Sequence, residues 1–192
     1  MIVKFKKLYS NSPDFVKQSV RLIPFRYRIG KAFRETLRFL AESDSWSMEQ
    51  YRAYQKRRLA KLLRLAIGHV PYYTRYRRLL SKGPFEILSE IEPITKKQIQ
   101  QNLDQYLLPE NMRGKCHVTY TGGSSGFPLK MYLNDDAVEI EWAFMIAQWM
   151  RIGYRPGDKR AAFRGVEFKE SRKSSVLMNP VYNEVMFSPF DL

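Results

Sequence analysis

The residues best suited to chemistry lie in one short stretch, residues 120–129, which reads Tyr-Thr-Gly-Gly-Ser-Ser-Gly-Phe-Pro-Leu. It contains three glycines and two serines, namely Gly122, Gly123, Gly126, Ser124 and Ser125. Glycine lacks a Cβ, so its backbone can approach a ligand closely, and consecutive amide N–H groups in such a turn can hold an anion. Serine hydroxyls add further donors. The stretch therefore predicts a phosphate-binding loop, although its local chemistry fits an ordinary glycine-rich hairpin connection equally well.

Both flanks of this loop show the alternation of apolar residues that is typical of β-strands, over residues 116–121 and 129–133. We therefore expect a connector between two strands. The sequence excludes two other phosphate-binding loops. The P-loop needs a lysine directly after its last glycine, where this chain has Phe127. The dinucleotide-binding fingerprint needs a different glycine spacing and a helix, not a strand, after it.

The segment 121–129 resembles the phosphate loop of adenylate-forming enzymes, T-[SG]-G-[ST]-[ST]-G-x-P-L. It is most similar to that loop in the family of phenylacetate–CoA ligase and the CapK capsular-polysaccharide proteins. Three further stretches agree with this family and keep its order: Leu-Ala-Ile-Gly-His-Val-Pro-Tyr-Tyr at 65–73, Ile-Thr-Lys-Lys at 94–97, and Gly-Tyr-Arg-Pro-Gly-Asp-Lys-Arg at 153–160. The resemblance covers roughly residues 50–192, and the phosphate loop is its most specific part.

Enzymes of that family activate a carboxylate with ATP and pass the acyl group to coenzyme A or another nucleophile. The resemblance therefore implies a nucleotide and a carboxylate as substrates, with Mg²⁺ on the phosphates. It also implies that six residues hold the β- and γ-phosphates of ATP: Thr121, Gly122, Gly123, Ser124, Ser125 and Gly126. Phe127 departs from the lysine often found there, which removes one favourable charge contact.

The resemblance also predicts an incomplete domain. In the family, the adenine-binding segment, the acidic residue that fixes the ribose, the metal-binding glutamate and the catalytic lysine all come later than residue 192. We therefore expect a fragment, a truncated reading frame or one piece of a split enzyme, whose second chain carries the rest. The 192 residues are expected to be inactive alone, and we assign no catalytic residue.

Composition indicates a globular chain, because 44% of its residues are apolar. The order of the predicted elements indicates a mixed α/β class, with a basic helical lead over residues 1–45. For residues 46–192 the resemblance implies the start of a layered sheet-and-helix adenylation domain. The single cysteine excludes an internal disulfide framework and fits a reducing compartment. The start of the chain is too short and too charged for a secretory leader, so a cytoplasmic location is expected, with peripheral membrane association as an option.

The net charge of +14 is distributed unevenly. Residues 1–82 hold 20 Lys and Arg against 5 Asp and Glu, whereas residues 83–192 hold 13 against 14. This asymmetry leaves three interpretations open. The basic helices could bind an anionic membrane surface as a non-catalytic module, they could bind nucleic acid, or they could present solvated faces. Nucleic acid is the least favoured, since no recognised nucleic-acid-binding motif accompanies the charges.

Apolar periodicity and capping residues predict the elements that position the loop. Helices are expected at 25–40, 47–68, 73–80, 95–107 and 135–152, the second and fourth opened by capping boxes and the last capped by Asn134. A wide apolar face is expected on the last helix, made by Val138, Trp142, Met145, Ile146, Trp149 and Ile152. Gly153 is the predicted C-cap, residues 155–158 a turn, and residues 159–164 and 181–187 further strands, with a charged loop at 167–175.

Overall fold

The computed structural model describes residues 19–122, 126, 128–134, 136–163 and 176–188. Over these residues the chain mixes helices with short strands, which confirms the predicted α/β class at this level. The chain forms two compact units, one from residues 1–41 with 136–192 and the other from residues 42–135. The predicted division at residue 45 stays a prediction. The predicted loop at 167–175 lies outside the described residues.

The described residues contain seven α-helices, three 3₁₀ segments and five strands. The α-helices are α1 (Phe25–Arg28), α2 (Lys31–Ser43), α3 (Met48–His69), α4 (Pro84–Glu90), α5 (Lys96–Gln101), α6 (Glu110–Arg113) and α7 (Ala137–Met150). The 3₁₀ segments are Val20–Leu22, Pro71–Ser81 and Leu103–Tyr106. The strands are β1 (Cys116–Tyr120), β2 (Lys130–Asn134), β3 (Arg160–Phe163), β4 (Val176–Asn179) and β5 (Glu184–Phe187).

The unit of residues 42–135 is built on α3, whose predicted capping box is confirmed. The Ser47 hydroxyl accepts from the Gln50 amide at 3.2 Å, and the Gln50 side chain accepts from the Ser47 amide at 2.7 Å. The core of this unit is formed by Leu63, Ile67, Tyr76, Leu79 and Ile87. The helical stretch predicted at 73–80 is a 3₁₀ segment, Pro71–Ser81, because Pro71 starts it anew after the extended Val70.

The second predicted capping box is also confirmed, but its helix is shorter than expected. The Thr95 hydroxyl accepts from the Gln98 amide at 3.3 Å, and the Gln98 side chain accepts from the Thr95 amide at 2.7 Å. The helix ends at Gln101 and not near residue 107, because Asn102 leaves the helical conformation with φ −142°. The Asn102 carbonyl then accepts from the Gln105 amide, which starts a 3₁₀ turn.

In the other unit, the helix predicted at 25–40 is two helices, α1 and α2, separated at Ile29 and Gly30. The break has a cause far away in sequence. The Glu139 carboxylate of α7 occupies the space beside Gly30, where a built Cβ would lie 1.7 Å from its Oε1. Its Oε2 accepts from the Phe33 amide at 3.4 Å and so caps the start of α2. The core here is formed by Ile29, Phe33, Ala143 and Ile146.

The helix predicted at 135–152 forms as α7, which begins and ends two residues inside those bounds. Asn134 does not cap the helix, because it is the last residue of β2 and pairs with Cys116; α7 begins after Asp136. At the other end Gly153, with φ 92°, is the predicted cap. The Gly153 amide donates to the Met150 carbonyl and the Tyr154 amide to the Trp149 carbonyl, both at 3.1 Å, which is the Schellman pattern.

The wide apolar face predicted for α7 is only partly buried. Ile146 is buried, and Trp142 and Trp149 pack against the core. The other three residues of that face are exposed: Val138, Met145 and Ile152. The buried side of the helix is therefore narrower than its composition suggested, and Ala143 contributes to it although it was not singled out.

The strands form two sheets. β1 and β2 make an antiparallel pair, while β3, β5 and β4 lie side by side in that order, with β3–β5 parallel and β4–β5 antiparallel. The expected layered sheet, with β2 and β3 as successive strands around a helix, is not seen in the described part of the chain. β5 begins at Glu184 and not at residue 181, because the preceding residues turn back from β4. The turn at 155–158 is confirmed by the Asp158 amide, which donates to the Arg155 carbonyl at 2.9 Å.

Candidate functional site

The predicted loop joins β1 to β2, as its flanks indicated. The two strands pair through five steps, from Cys116 opposite Asn134 to Tyr120 opposite Lys130. Since side chains alternate between the two faces of a sheet, Tyr120, Lys130 and Tyr132 share one face at the end of the hairpin where the loop begins. The hairpin therefore presents the loop at its tip, with an aromatic and a cationic side chain directly beside it.

Thr121 and Leu129 fasten the two ends of the loop to each other. The Thr121 amide donates to the Leu129 carbonyl at 3.0 Å, and the Leu129 amide donates to the Thr121 hydroxyl oxygen at 2.9 Å. The hydroxyl takes the place of a backbone acceptor, and its own proton remains able to donate to a ligand. These two bonds fix the distance between the two ends of the connector, residues 122–128.

Two of the predicted glycines are described, and both are exposed and outside the strands. A Cβ built on Gly122 or on Gly126 meets no atom within 4 Å. Gly126 has φ 87°, in the left-handed region that favours glycine, whereas Gly122 lies outside that region. The other predicted contacts, at Gly123, Ser124 and Ser125, lie outside the described residues, as does Phe127. At both described glycines the space on the Cβ side is therefore open.

A helix supports the exit of the connector. The Gln100 side chain of α5 donates from Nε2 to the Pro128 carbonyl at 3.3 Å. The capping box that opens α5 fixes the direction of this short helix, and so helps to fix the amide of Gln100. The stretch at 94–97, which carries part of the family resemblance, therefore contributes to the neighbourhood of the loop by positioning α5.

Two cations flank Tyr132 on the face that Tyr120 shares. The Lys130 ammonium lies 5.3 Å from the Tyr132 ring centroid and the Arg113 guanidinium lies 5.6 Å from it. Hydrogen bonding to Tyr132 raises the pKa of Lys130 above its ordinary value, so the ammonium is fully charged at neutral pH. Sequence reasoning named no cation at the site. The alternation of the strands, which places Lys130 opposite Tyr120, was the signal that could have found it.

The described residues hold no group of three or more His, Cys, Asp or Glu side chains that could bind a metal ion. In the part of the chain that the structure describes, no helix has the length and apolar character required to cross a membrane.

Comparison of the chain with protein-family models, with curated proteins and with solved structures finds no match in any of the three.

Proposed function

We propose that the chain is the N-terminal portion of an ATP-dependent adenylate-forming ligase, of the kind that includes phenylacetate–CoA ligase and the CapK proteins. In this proposal the hairpin loop holds the β- and γ-phosphates of ATP through Thr121, Gly122, Gly123, Ser124, Ser125 and Gly126. The observation that supports it most is the exposed glycine connector between Thr121 and Leu129. It is fastened at both ends, and the described glycines leave open space beside their backbone.

The proposed chemistry needs negative charge to be neutralised and a leaving group to be held in place. A carboxylate oxygen forms a bond to the α-phosphorus of ATP, the bond to the bridging oxygen breaks, and pyrophosphate leaves. Amides and hydroxyls of the loop donate to the oxygens of the departing β- and γ-phosphates, where charge accumulates. Mg²⁺ bound to the phosphates supplies further positive charge when it is present. The acyl-adenylate then passes its acyl group to coenzyme A or another nucleophile.

We also assign a role to Lys130, as the cation that the sequence prediction did not place near the phosphates. Phe127 stands where related loops often carry lysine, and Lys130 opens β2 opposite Tyr120, one step from the fastened ends of the loop. We assign it to long-range stabilisation of the bound polyphosphate, because a fully charged ammonium beside an anion strengthens its binding without direct contact. The carboxylate substrate and the acceptor are not identified by any described residue.

A binding series tests this proposal on the full chain. Calorimetric titration with Mg·ATP, inorganic tripolyphosphate and AMP separates recognition of the phosphates from recognition of the nucleoside. The proposal predicts that tripolyphosphate competes with ATP and that AMP binds at least about tenfold more weakly, since each hydrogen bond to a charged group contributes about 1.5 kcal/mol or more. Equal affinity for ATP and AMP, or no competition by tripolyphosphate, would contradict it.

Two double serine variants test whether the hydroxyls of the loop contribute to ATP binding. Replacing Ser124 and Ser125 together by alanine removes two proposed donors, so ATP affinity is expected to fall about 100-fold. The matched control replaces Ser45 and Ser89, whose hydroxyls donate to local carbonyls far from the loop in sequence. An equal loss of ATP affinity in both pairs would show that the loop serines have no special part. ATP–pyrophosphate exchange, measured separately, reports whether these 192 residues carry out adenylation themselves.

A further inference from the structure

A stripe of cations runs along the solvent face of α3. Arg57, Lys61 and Arg64 follow one another at four and three residues, so they share one side of the helix. That side lies about a third of a turn around the helix from the one that buries Leu63 and Ile67 in the core. All three cations are exposed. We call Arg57, Lys61 and Arg64, together with Arg77 described next, the basic stripe.

Arg77 extends the stripe past the end of the helix. Its Nη2 donates to the Gly68 carbonyl at 3.4 Å, and Gly68 lies one turn beyond Arg64 on the same side of α3. From residue 57 to residue 68 the helix rises about 16 Å, at 1.5 Å per residue. Four positive charges are therefore arranged in a line that could meet several anionic groups at once.

The charge of the stripe is not balanced within the described part of the chain. Among the described residues of the same unit, the ion pairs join Arg75 to Glu92 and Lys82 to Glu90, and neither includes a residue of the stripe. Like charges four residues apart, such as Arg57 and Lys61, destabilise a helix. A polyanion bound along the stripe would offset this repulsion.

Two leucines beside the stripe indicate which polyanion it fits. Leu62 is 59% exposed and Leu65 39% exposed. Leu65 follows Lys61 by four residues and Leu62 by three, so the two leucines form a line at one edge of the stripe on α3. A bilayer interface accepts apolar side chains between its headgroups while the anionic lipids attract the cations. The backbone of a nucleic acid would attract the cations equally but offers no apolar layer to two aliphatic side chains. The combination therefore favours a lipid surface.

We propose that the basic stripe docks the chain on an anionic phospholipid bilayer, with α3 lying along the membrane surface and Leu62 and Leu65 entering the headgroup region. This surface is separate from the phosphate loop, and the inference does not depend on the ligase proposal. The partner is defined by its chemistry, a sheet of anionic headgroups over hydrocarbon, and no individual lipid is required.

Vesicle sedimentation of the full chain tests the stripe. Phosphatidylcholine vesicles containing phosphatidylserine should bind the chain at low salt, vesicles of phosphatidylcholine alone should not, and salt should release it.

Replacing Arg57, Lys61 and Arg64 by glutamine should weaken binding about 100-fold, since each cation near such a surface contributes about tenfold or less. The control replaces Lys97, Lys115 and Lys159, three exposed lysines outside the stripe, with the same change in charge and an expected effect below threefold. Equal losses in the two triple variants would overturn the proposal, as would unaltered binding in the stripe variant.

A second variant separates lipid from nucleic acid. Leu62→Ser with Leu65→Ser leaves the charge unchanged and should weaken vesicle binding about tenfold, whereas binding to a DNA duplex at the same salt should stay within twofold. If the duplex competes the chain off anionic vesicles and the serine variant binds vesicles like the original chain, the stripe is a nucleic-acid surface and the lipid proposal fails. Circular dichroism of each variant confirms that the helices are retained.

Discussion

Gly122 and Gly126 lie in the same connector, yet a side chain would have different consequences at each. Both have open space around a built Cβ, but only Gly126 has a positive φ, at 87°. An L-residue at Gly126 is strained whether or not a ligand is present. An alanine at Gly122 is compatible with the free chain. Its methyl group should therefore weaken binding only if the ligand occupies the space beside Gly122. Among the proposed contacts that the structure describes, Gly122 is therefore the cleanest probe.

We expect Gly122→Ala to leave the free energy of unfolding within about 0.5 kcal/mol of the original chain. Affinity for Mg·ATP should fall at least tenfold, because the methyl group takes the space proposed for a phosphate. Gly126→Ala should cost about 1 kcal/mol of stability. Chemical denaturation and calorimetric titration measure the two quantities. Unchanged ATP affinity in Gly122→Ala would show that the open side of the connector is not where the phosphates lie.

Gly30 has no side chain, and this leaves room for the side chain of Glu139. The Glu139 carboxylate fills the space where its Cβ would be, and caps α2 at the Phe33 amide. We expect Gly30→Ala to destabilise the fold by about 2 kcal/mol, because either the carboxylate is displaced from its cap or the helices move apart. Gly68→Ala, where a built Cβ meets nothing within 4 Å, should be neutral or stabilising. Equal thermal stability of these two variants would exclude the proposed role of Gly30.

At the scale of elements, the sequence predicts best where the cause is local. The capping boxes at Ser47 and Thr95 involve residues three positions apart, and both form as expected. The hairpin strands follow from alternation alone. The separation of α1 from α2 could not be predicted from local sequence, because the carboxylate that caps α2 belongs to Glu139. Asn134 failed as a cap for a similar reason, since pairing with β1 takes it into the sheet.

The β3–β5 pair contains a buried ion pair that stabilises the three-stranded sheet. Arg160 stands opposite Glu184 in the parallel register, their side chains 3.3 Å apart, and its guanidinium lies 4.5 Å from the Trp142 ring centroid. Arg160→Ala should destabilise the fold by about 3 kcal/mol, because it leaves the Glu184 carboxylate buried without its cation. Denaturant unfolding gives the value directly.

Two further variants decide whether burial is the cause. Lys31→Ala breaks an exposed pair with Glu35 and should change stability by less than about 0.5 kcal/mol. Arg160→Met combined with Glu184→Leu removes both charges while keeping apolar volume, and should recover most of the loss. A double variant no more stable than Arg160→Ala would mean that the arginine acts through its contacts with the aromatic rings alone.

At the scale of the whole molecule, the two units have separate cores and separate sheets, and the site belongs to the unit of residues 42–135. Its location between two strands, the glycines and the hydroxyls were all readable from the sequence, because they are local. The position of Gln100 was not, since its closeness to the loop depends on how α5 packs. The ligase proposal therefore depends on a resemblance for its chemistry and on the hairpin for its geometry.

The most direct test of the central claim is a residue-by-residue map of where a polyphosphate binds. Two-dimensional ¹⁵N–¹H NMR of the labelled full chain, titrated with Mg·ATP, reports the response of each backbone amide. The account predicts that the largest shift changes fall on the amides of residues 121–127, 129 and 130, and that tripolyphosphate reproduces them. Shift changes concentrated on α3, or a silent loop in the presence of saturating Mg·ATP, would contradict it.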